Sequence, residues 1–133
     1  MIYTALTKKA MKVAYEAHHG QTDRSGTPYI FHPFHVAEQM DDELSVCTAL
    51  LHDVVEGEFP EEVVEALRYL TRDKSMNYFD YIRNIRKNPI AKKVKQADLL
   101  HNSDVTRLSD CENISVEQIS RLYGRYKRAL EIL

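Results

Sequence analysis

Two histidines and two aspartates stand in segments of this sequence that are otherwise apolar. His52 and Asp53 are adjacent and interrupt the apolar run 50–55. An ionised carboxylate in such a run is costly unless it is paired or binds a metal. His32 lies at a predicted helix start, and Asp98 lies inside a predicted helix, where aspartate has a poor propensity. Taken singly, each has a structural alternative: a helix residue that faces solvent, or a hydrogen-bonded histidine of the core.

One arrangement accounts for all four residues together. Two imidazoles and two carboxylates form a mixed nitrogen and oxygen ligand set, which suits Mn²⁺, Fe²⁺ or Zn²⁺ and is not a structural zinc knot. Four protein ligands leave room for water and a substrate oxygen on an ion that accepts five or six ligands. Such a site could generate hydroxide near neutral pH and polarise a phosphoryl group. The pattern therefore predicts a hydrolase of phosphate esters with the metal ligands His32, His52, Asp53 and Asp98.

Helices must position these side chains, because apolar residues recur at helical spacing and only 4 glycines and 4 prolines interrupt the chain. We expect one all-α domain over residues 1–133, with a last helix over about 115–131. The third helix is expected to extend through Val55, so that His52 and Asp53 belong to it. Gly20 is expected in the left-handed position after the first helix. The residues expected at helix starts are Thr4 or Thr7, Pro33, Asp42, Pro60, Ser75, Asn88 and Ser115.

Length and charge limit the functional classes. A chain of 133 residues with a net charge of -2 and a pI near 6.3 has no basic stripe for duplex nucleic acid, although a small nucleotide is compatible. No apolar stretch reaches the roughly 20 residues of a membrane span, and no signal peptide is evident, so we expect a cytoplasmic protein. Cys47 and Cys111 lack CxxC spacing, and we expect both to be reduced and Cys47 to be buried. The sequence leaves open whether the chain forms a homo-oligomer.

Three segments, in order along the chain, resemble the HD-domain phosphohydrolases: GTPYIFHP (26–33), LLHDVVE (50–56) and VKQADLLHN (94–102). Within that family the sequence is most similar to the RelA/SpoT-type hydrolase domain and the small alarmone hydrolases, over roughly residues 5 to 108. The resemblance implies an all-α HD-domain helical bundle. It also implies hydrolysis of the 3′-pyrophosphate from guanosine 3′,5′-bis(diphosphate) with a divalent metal, most often Mn²⁺, and with Fe²⁺, Zn²⁺ and Mg²⁺ as alternatives.

The resemblance further implies roles for individual residues. Glu56, expected one helical turn after His52, matches the first member of a Glu-Asp pair that acts on the attacking water. Lys95 and Asn102 match positions near the nucleotide, and Arg24 matches a basic position that contacts the guanine or the phosphates. For Arg24 and Lys95 the alternative is plain surface charge. The positions that match the metal ligands are His32, His52, Asp53 and Asp98.

The sequence departs from the family directly after Glu56. Gly57 stands where an acidic residue is expected, so that Glu58 or Glu56 alone would organise the water, and both are catalytic candidates. Asp23 stands where a basic residue is usual, and the positions after Asp98 are less basic than in the alarmone hydrolases. Two alternatives therefore remain: a hydrolase of another nucleotide or phosphate ester, and a nucleotide-binding module with weakened catalysis.

Overall fold

The computed structural model describes residues 1–54, 57–108 and 114–133, and in these ranges the chain is helical. The all-α class predicted from the sequence is confirmed. A single isolated β-bridge in the described ranges, between Thr22 and Pro28, closes the loop between the first two helices. No described helix is both long enough and apolar enough to cross a bilayer. The α-helices are α1 (Ala5–His18), α2 (Phe31–Glu38), α3 (Glu43–Leu51), α4 (Glu61–Leu70), α5 (Tyr78–Ile85), α6 (Pro89–Asn102) and α7 (Val116–Ile132), with a 3₁₀ helix over Val105–Leu108.

Side-chain caps begin the helices at most of the predicted residues. Thr4 and Thr7 form a reciprocal capping box at the start of α1. Asn88 caps α6 by accepting a hydrogen bond from the backbone N–H of Ala91 at 2.9 Å. Ser115 and Gln118 form the capping box expected for α7. These helix starts were predictable because each depends on residues three positions apart.

The cap of α5 differs from the prediction. Asn77, rather than Ser75, accepts the first hydrogen bond of this helix, from the backbone N–H of Phe79 at 2.9 Å. The hydroxyl of Ser75 donates instead to Asp73 at 2.8 Å, in the loop before the helix. Because Ser75 is hydrogen-bonded to Asp73 in a local turn, it does not cap the helix, and the cap of α5 lies two residues later at Asn77.

α3 lies at the centre of the core. It packs against α1, α2, α4 and α6. Every residue from Ser45 to Leu51 is buried, and Cys47 is buried among them as predicted. Full burial of a side chain such as Leu50 or Leu51 contributes about 1.5–3 kcal/mol, so this helix is held firmly in place. The residues at its end are consequently fixed against α2 and α6.

Candidate metal centre

α3 ends earlier than the sequence predicted. The helix stops at Leu51, His52 is its C-cap, and the backbone N–H of Val54 donates to the Leu51 carbonyl at 2.8 Å to close a turn. The expectation that α3 continues through residue 55 was therefore wrong. Helical spacing cannot place Glu56 beside His52, and Glu56 lies outside the residues that the structure describes.

Three of the four predicted ligands converge from α2, the end of α3 and α6. His32 Nε2 lies 2.8 Å from Asp98 Oδ1, and His52 Nε2 lies 3.6 Å from the same oxygen. One ligand atom from each residue lies within 4.8 Å of the other two. Their side chains are 4 to 7% exposed. In the described part of the chain, no other group of three histidine, cysteine or acidic side chains meets this distance.

Asp53 joins this cluster through His52. Its Oδ2 atom lies 3.1 Å from His52 Nε2 and accepts a hydrogen bond from the hydroxyl of Tyr29. The Asp53 side chain is 42% exposed, so the cluster is open to solvent on this side. Sequence reasoning gave no role to Tyr29, although it stands three residues before His32 in the first motif.

The electrostatics of the cluster favour a bound cation. Burial disfavours the charged form of His52, but hydrogen bonds to and charges on Asp53 and Asp98 outweigh burial and raise the pKa of His52 to about 10. Burial opposes ionisation of both carboxyl groups as well. Nevertheless the imidazole of His52 lowers the pKa of Asp53 to about 2, and bonds from His32 and His52 hold that of Asp98 well below its usual range. A positive charge is thus stabilised between the carboxylates, and two imidazoles with two carboxylates suit a divalent metal.

Lys95 and Asn102 both contact Asp98. Lys95 Nζ donates to Asp98 Oδ2 at 2.9 Å, and Asn102 Nδ2 donates to Asp98 Oδ1 at 3.1 Å. Burial opposes the charge on Lys95, but the charge of Asp98 outweighs it and raises the pKa of this lysine. The sequence predicted that both residues bind substrate, and that role stays a prediction; their described contacts hold Asp98, a predicted metal ligand.

Two further histidines, His101 and His35, extend the cluster beyond His32. His101 Nδ1 lies 2.7 Å from His32 Nδ1. The ring of His35 stacks on His101 with 4.0 Å between centroids. Burial, together with the charge of Arg107, lowers the pKa of His101 to about 4, so the ring is neutral near pH 7.

A cleft of about 340 Å³ opens beside His32 and Asn102 and reaches α7. Arg24 is exposed and lines this cleft, and its role in substrate binding stays a prediction. Arg107 also lines it, and sequence reasoning missed this arginine. Its guanidinium donates to the His101 carbonyl at 3.0 Å and lies 3.7 Å from Asp23 Oδ2. Arg107 lies in a 3₁₀ turn beyond α6, where helical spacing from the motif no longer applies.

Glu58 is exposed, and its backbone carbonyl accepts a hydrogen bond from Lys9 Nζ. None of the contacts described for residues 1–54, 57–108 and 114–133 joins the Glu58 side chain to the histidine cluster. The structure therefore brings together the predicted metal ligands and places Arg24 at the neighbouring cleft. It does not bring Glu58 to them.

No family model matches the chain, but curated proteins and a solved structure do. A guanosine-3′,5′-bis(diphosphate) 3′-pyrophosphohydrolase from Borreliella burgdorferi is 31% identical over 122 residues, which cover 71% of this chain and 18% of that protein. The bifunctional (p)ppGpp synthase/hydrolase SpoT of Escherichia coli is 49% identical over 53 residues, 37% of this chain and 8% of that protein. Among the most similar curated relatives, the chain spans 6 to 18% of their length.

The solved structure is described as a metazoan ortholog of SpoT that hydrolyzes ppGpp. It matches with a TM-score of 0.76 over 98% of this chain and 85% of that one, at 24% identity. The chain is a relative of the RelA/SpoT-type hydrolase domains and shares their helical fold. The resemblance predicted from the three motifs is thereby confirmed. Hydrolases of this type use a divalent metal, and the histidine and aspartate cluster is the candidate site for it.

Proposed function

We propose that this chain is a metal-dependent phosphohydrolase that removes the 3′-pyrophosphate from guanosine 3′,5′-bis(diphosphate). The observation that carries the proposal is the convergence of His32, His52 and Asp98 within 4.8 Å, beside a cleft that His32 itself lines. Relatives named for this reaction support it. We propose further that a single HD-type domain over residues 1–133 carries the activity.

We propose Mn²⁺ as the metal, with Fe²⁺, Zn²⁺ and Mg²⁺ as alternatives, held by His32, His52, Asp53 and Asp98. When bound, such an ion polarises a phosphoryl oxygen and lowers the pKa of water. The chain itself contributes geometry. Lys95 and Asn102 hold the Asp98 carboxylate, and Tyr29 holds that of Asp53. Support of this kind around ligand residues typically changes metal affinity 10- to 100-fold.

The cleft fits a charged nucleotide. Arg24 and Arg107 supply positive charge for phosphate groups, and Arg107 is also near Asp23, which reduces the net potential. Tyr126 and other apolar residues of α7 form the far wall, which suits the flat apolar face of a purine. Phosphates would therefore lie toward the histidine cluster and the base toward α7.

Hydrolysis requires one proton to leave the attacking water and one to reach the ribose O3′ as its bond to phosphorus breaks. We propose Glu56 as the general base, on the match to the family motif. Glu58 is the second candidate. Glu58 is the weaker candidate, because it is exposed and its backbone carbonyl is bound by Lys9. Separate Glu56→Gln and Glu58→Gln variants decide between them, because loss of a general base lowers turnover about 10²- to 10⁴-fold.

The activity is tested by incubating the purified, Mn²⁺-loaded chain with guanosine 3′,5′-bis(diphosphate). We expect release of one pyrophosphate per nucleotide and formation of GDP, abolished by His52→Ala or Asp53→Ala. His19→Ala is the matched control, because His19 is an exposed histidine at the end of α1 and should leave turnover unchanged. A protein that holds Mn²⁺ and does not turn the nucleotide over would contradict the proposal.

A further inference from the structure

His32 uses both of its ring nitrogens. Nε2 faces Asp98 and the ring of His52, while Nδ1 lies 2.7 Å from His101 Nδ1. A neutral imidazole carries one proton, so a ring that offers Nε2 to a cation must carry its proton on Nδ1. That N–H then needs an acceptor. In the described contacts of His32, the His101 nitrogen is the group that faces Nδ1.

His101 is itself held in place. It lies three residues after Asp98 on α6, so both residues project toward α2. His35, three residues after His32 on α2, stacks on the His101 ring with 4.0 Å between ring centroids and 22° between ring planes. The backbone carbonyl of His101 accepts a hydrogen bond from Arg107 at 3.0 Å. The ring planes of His32 and His101 lie within 4° of parallel, and their centroids are 5.0 Å apart with 2.7 Å between the two Nδ1 atoms. These distances fit two rings that lie nearly in one plane with their Nδ1 atoms facing each other, so an N–H on one Nδ1 points along the lone pair of the other.

We infer that His101 is a positioning residue for the metal site: its Nδ1 accepts the Nδ1–H of His32 and thereby presents His32 Nε2 as an unprotonated ligand atom. This inference rests on the metal site of the proposed function. Neither His101 nor His35 was among the predicted site residues. The role requires no contact with substrate and acts on metal affinity through the tautomer and orientation of His32.

Two variants separate the acceptor from the aromatic stack. His101→Asn keeps an acceptor near the position of Nδ1 and loses the ring, whereas His101→Phe keeps the ring against His35 and loses the acceptor. We expect His101→Phe to raise the Mn²⁺ dissociation constant about 10- to 100-fold and His101→Asn to stay within about 3-fold of the wild type. His19→Phe, at an exposed histidine, is the matched control. Mn²⁺ binding is measured by electron paramagnetic resonance of the free ion, and thermal unfolding of the metal-free variants is measured beside it.

A direct observation on the unmodified chain complements the variants. In the ¹⁵N-labelled protein loaded with diamagnetic Zn²⁺, we expect a scalar coupling between His32 Nδ1 and His101 Nδ1 across the hydrogen bond, with the proton on His32. A proton on His101 Nδ1 in the Zn²⁺-loaded protein, or no coupling, would overturn the inference even if a variant fails to fold.

The outcomes also separate this inference from the proposed function. If His101→Phe binds Mn²⁺ as tightly as the wild type, the inference alone is overturned. The same holds if His101→Phe and His101→Asn lose equal Mn²⁺ affinity while the stability of the metal-free protein is unchanged. A wild-type chain that binds neither metal overturns both proposals. Metal binding that weakens as expected in His101→Phe, in a chain without turnover, supports the inference and overturns the proposed activity.

Discussion

Substitution of Gly57 should destabilise this protein, even though the family pattern places an acidic residue at this position. Gly57 has a φ of +105°, in the region that residues with a side chain rarely adopt. A Cβ atom there would lie 2.8 Å from Phe59 Cε2, closer than Cβ atoms approach other atoms. The Phe59 ring is in turn covered by Lys9, whose ammonium lies 4.6 Å from the ring centroid.

The magnitude follows from these contacts. A residue with a side chain held in a sparsely populated backbone region costs about 1–3 kcal/mol. Displacement of the Phe59 ring forfeits a cation–π contact of about 0.5–1 kcal/mol. The sum is about 1.5–4 kcal/mol for Gly57→Ala. At this chain length about 1 kcal/mol corresponds to roughly 4 °C in Tm, so we expect Tm to fall by roughly 6–16 °C.

Urea unfolding of the metal-free protein, followed by circular dichroism, measures this loss. Gly124→Ala is the matched control: it lies inside α7 with nothing within 4 Å of the added Cβ, and it should stabilise by about 0.5–1 kcal/mol. In a Phe59→Ala background, Gly57→Ala should cost less, because the ring contact is gone. Wild-type stability for Gly57→Ala would refute the reasoning, and equal cost in both backgrounds would refute the part assigned to Phe59.

Three further predictions concern single side chains. Asp42 caps α3 and binds Lys93; burial opposes its ionisation, but these bonds lower its pKa to about 2. The Asp42 carboxylate therefore stabilises the fold fully above about pH 4, and this stabilisation is lost as the pH falls through about 2. Asp42→Ala should lower the unfolding free energy in urea by about 1–2 kcal/mol at pH 7 and by little at pH 2. Tyr29→Phe removes the donor to Asp53 and should weaken Mn²⁺ binding about 10- to 100-fold in equilibrium dialysis. The unfolding free energy of this variant should stay unchanged, because the weaker binding comes from the lost donor and not from a folding defect. His18 Nε2 is buried without a hydrogen-bond partner among the described residues, whereas His18 Nδ1 lies 2.9 Å from Gln21 Oε1. His18→Phe removes both, and because loss of the unpaired nitrogen offsets loss of the paired one, the unfolding free energy should change by less than about 1 kcal/mol; a loss above about 2 kcal/mol would contradict this.

The local parts of the fold could be predicted from the sequence, and the end of α3 could not. A cap such as Asn88 depends on a hydrogen bond to a backbone group three residues away, which the sequence displays directly. Nothing near Leu51 in the sequence stops a helix, since the next glycine is Gly57. The helix ends there because the chain turns at His52 and Asp53, and the side chains that this turn faces, His32 and Asp98, are remote in sequence.

The candidate site shows the same division. The order of three motifs was enough to group His32, His52 and Asp98, which the structure brings together, because their side-chain types suit one divalent metal. The contacts of Lys95 and Asn102 with Asp98 were also within reach, since the three lie at spacings of three and four on one helix. Tyr29 and Arg107 were harder to find, because each contacts its partner across a loop.

The loop that departs most from the family is also structurally tied to the rest of the protein. Residues 57–59 connect to α1 twice through Lys9, once at the carbonyl of Glu58 and once at the ring of Phe59. These ties, together with the positive φ of Gly57, bring the chain directly to the start of α4 at Glu61. Gly57→Asp would therefore strain the backbone at position 57 and displace the Phe59 ring. This cost sets in whether or not the new carboxylate could act as a second catalytic acid. Restoring the family residue alone should therefore not raise turnover.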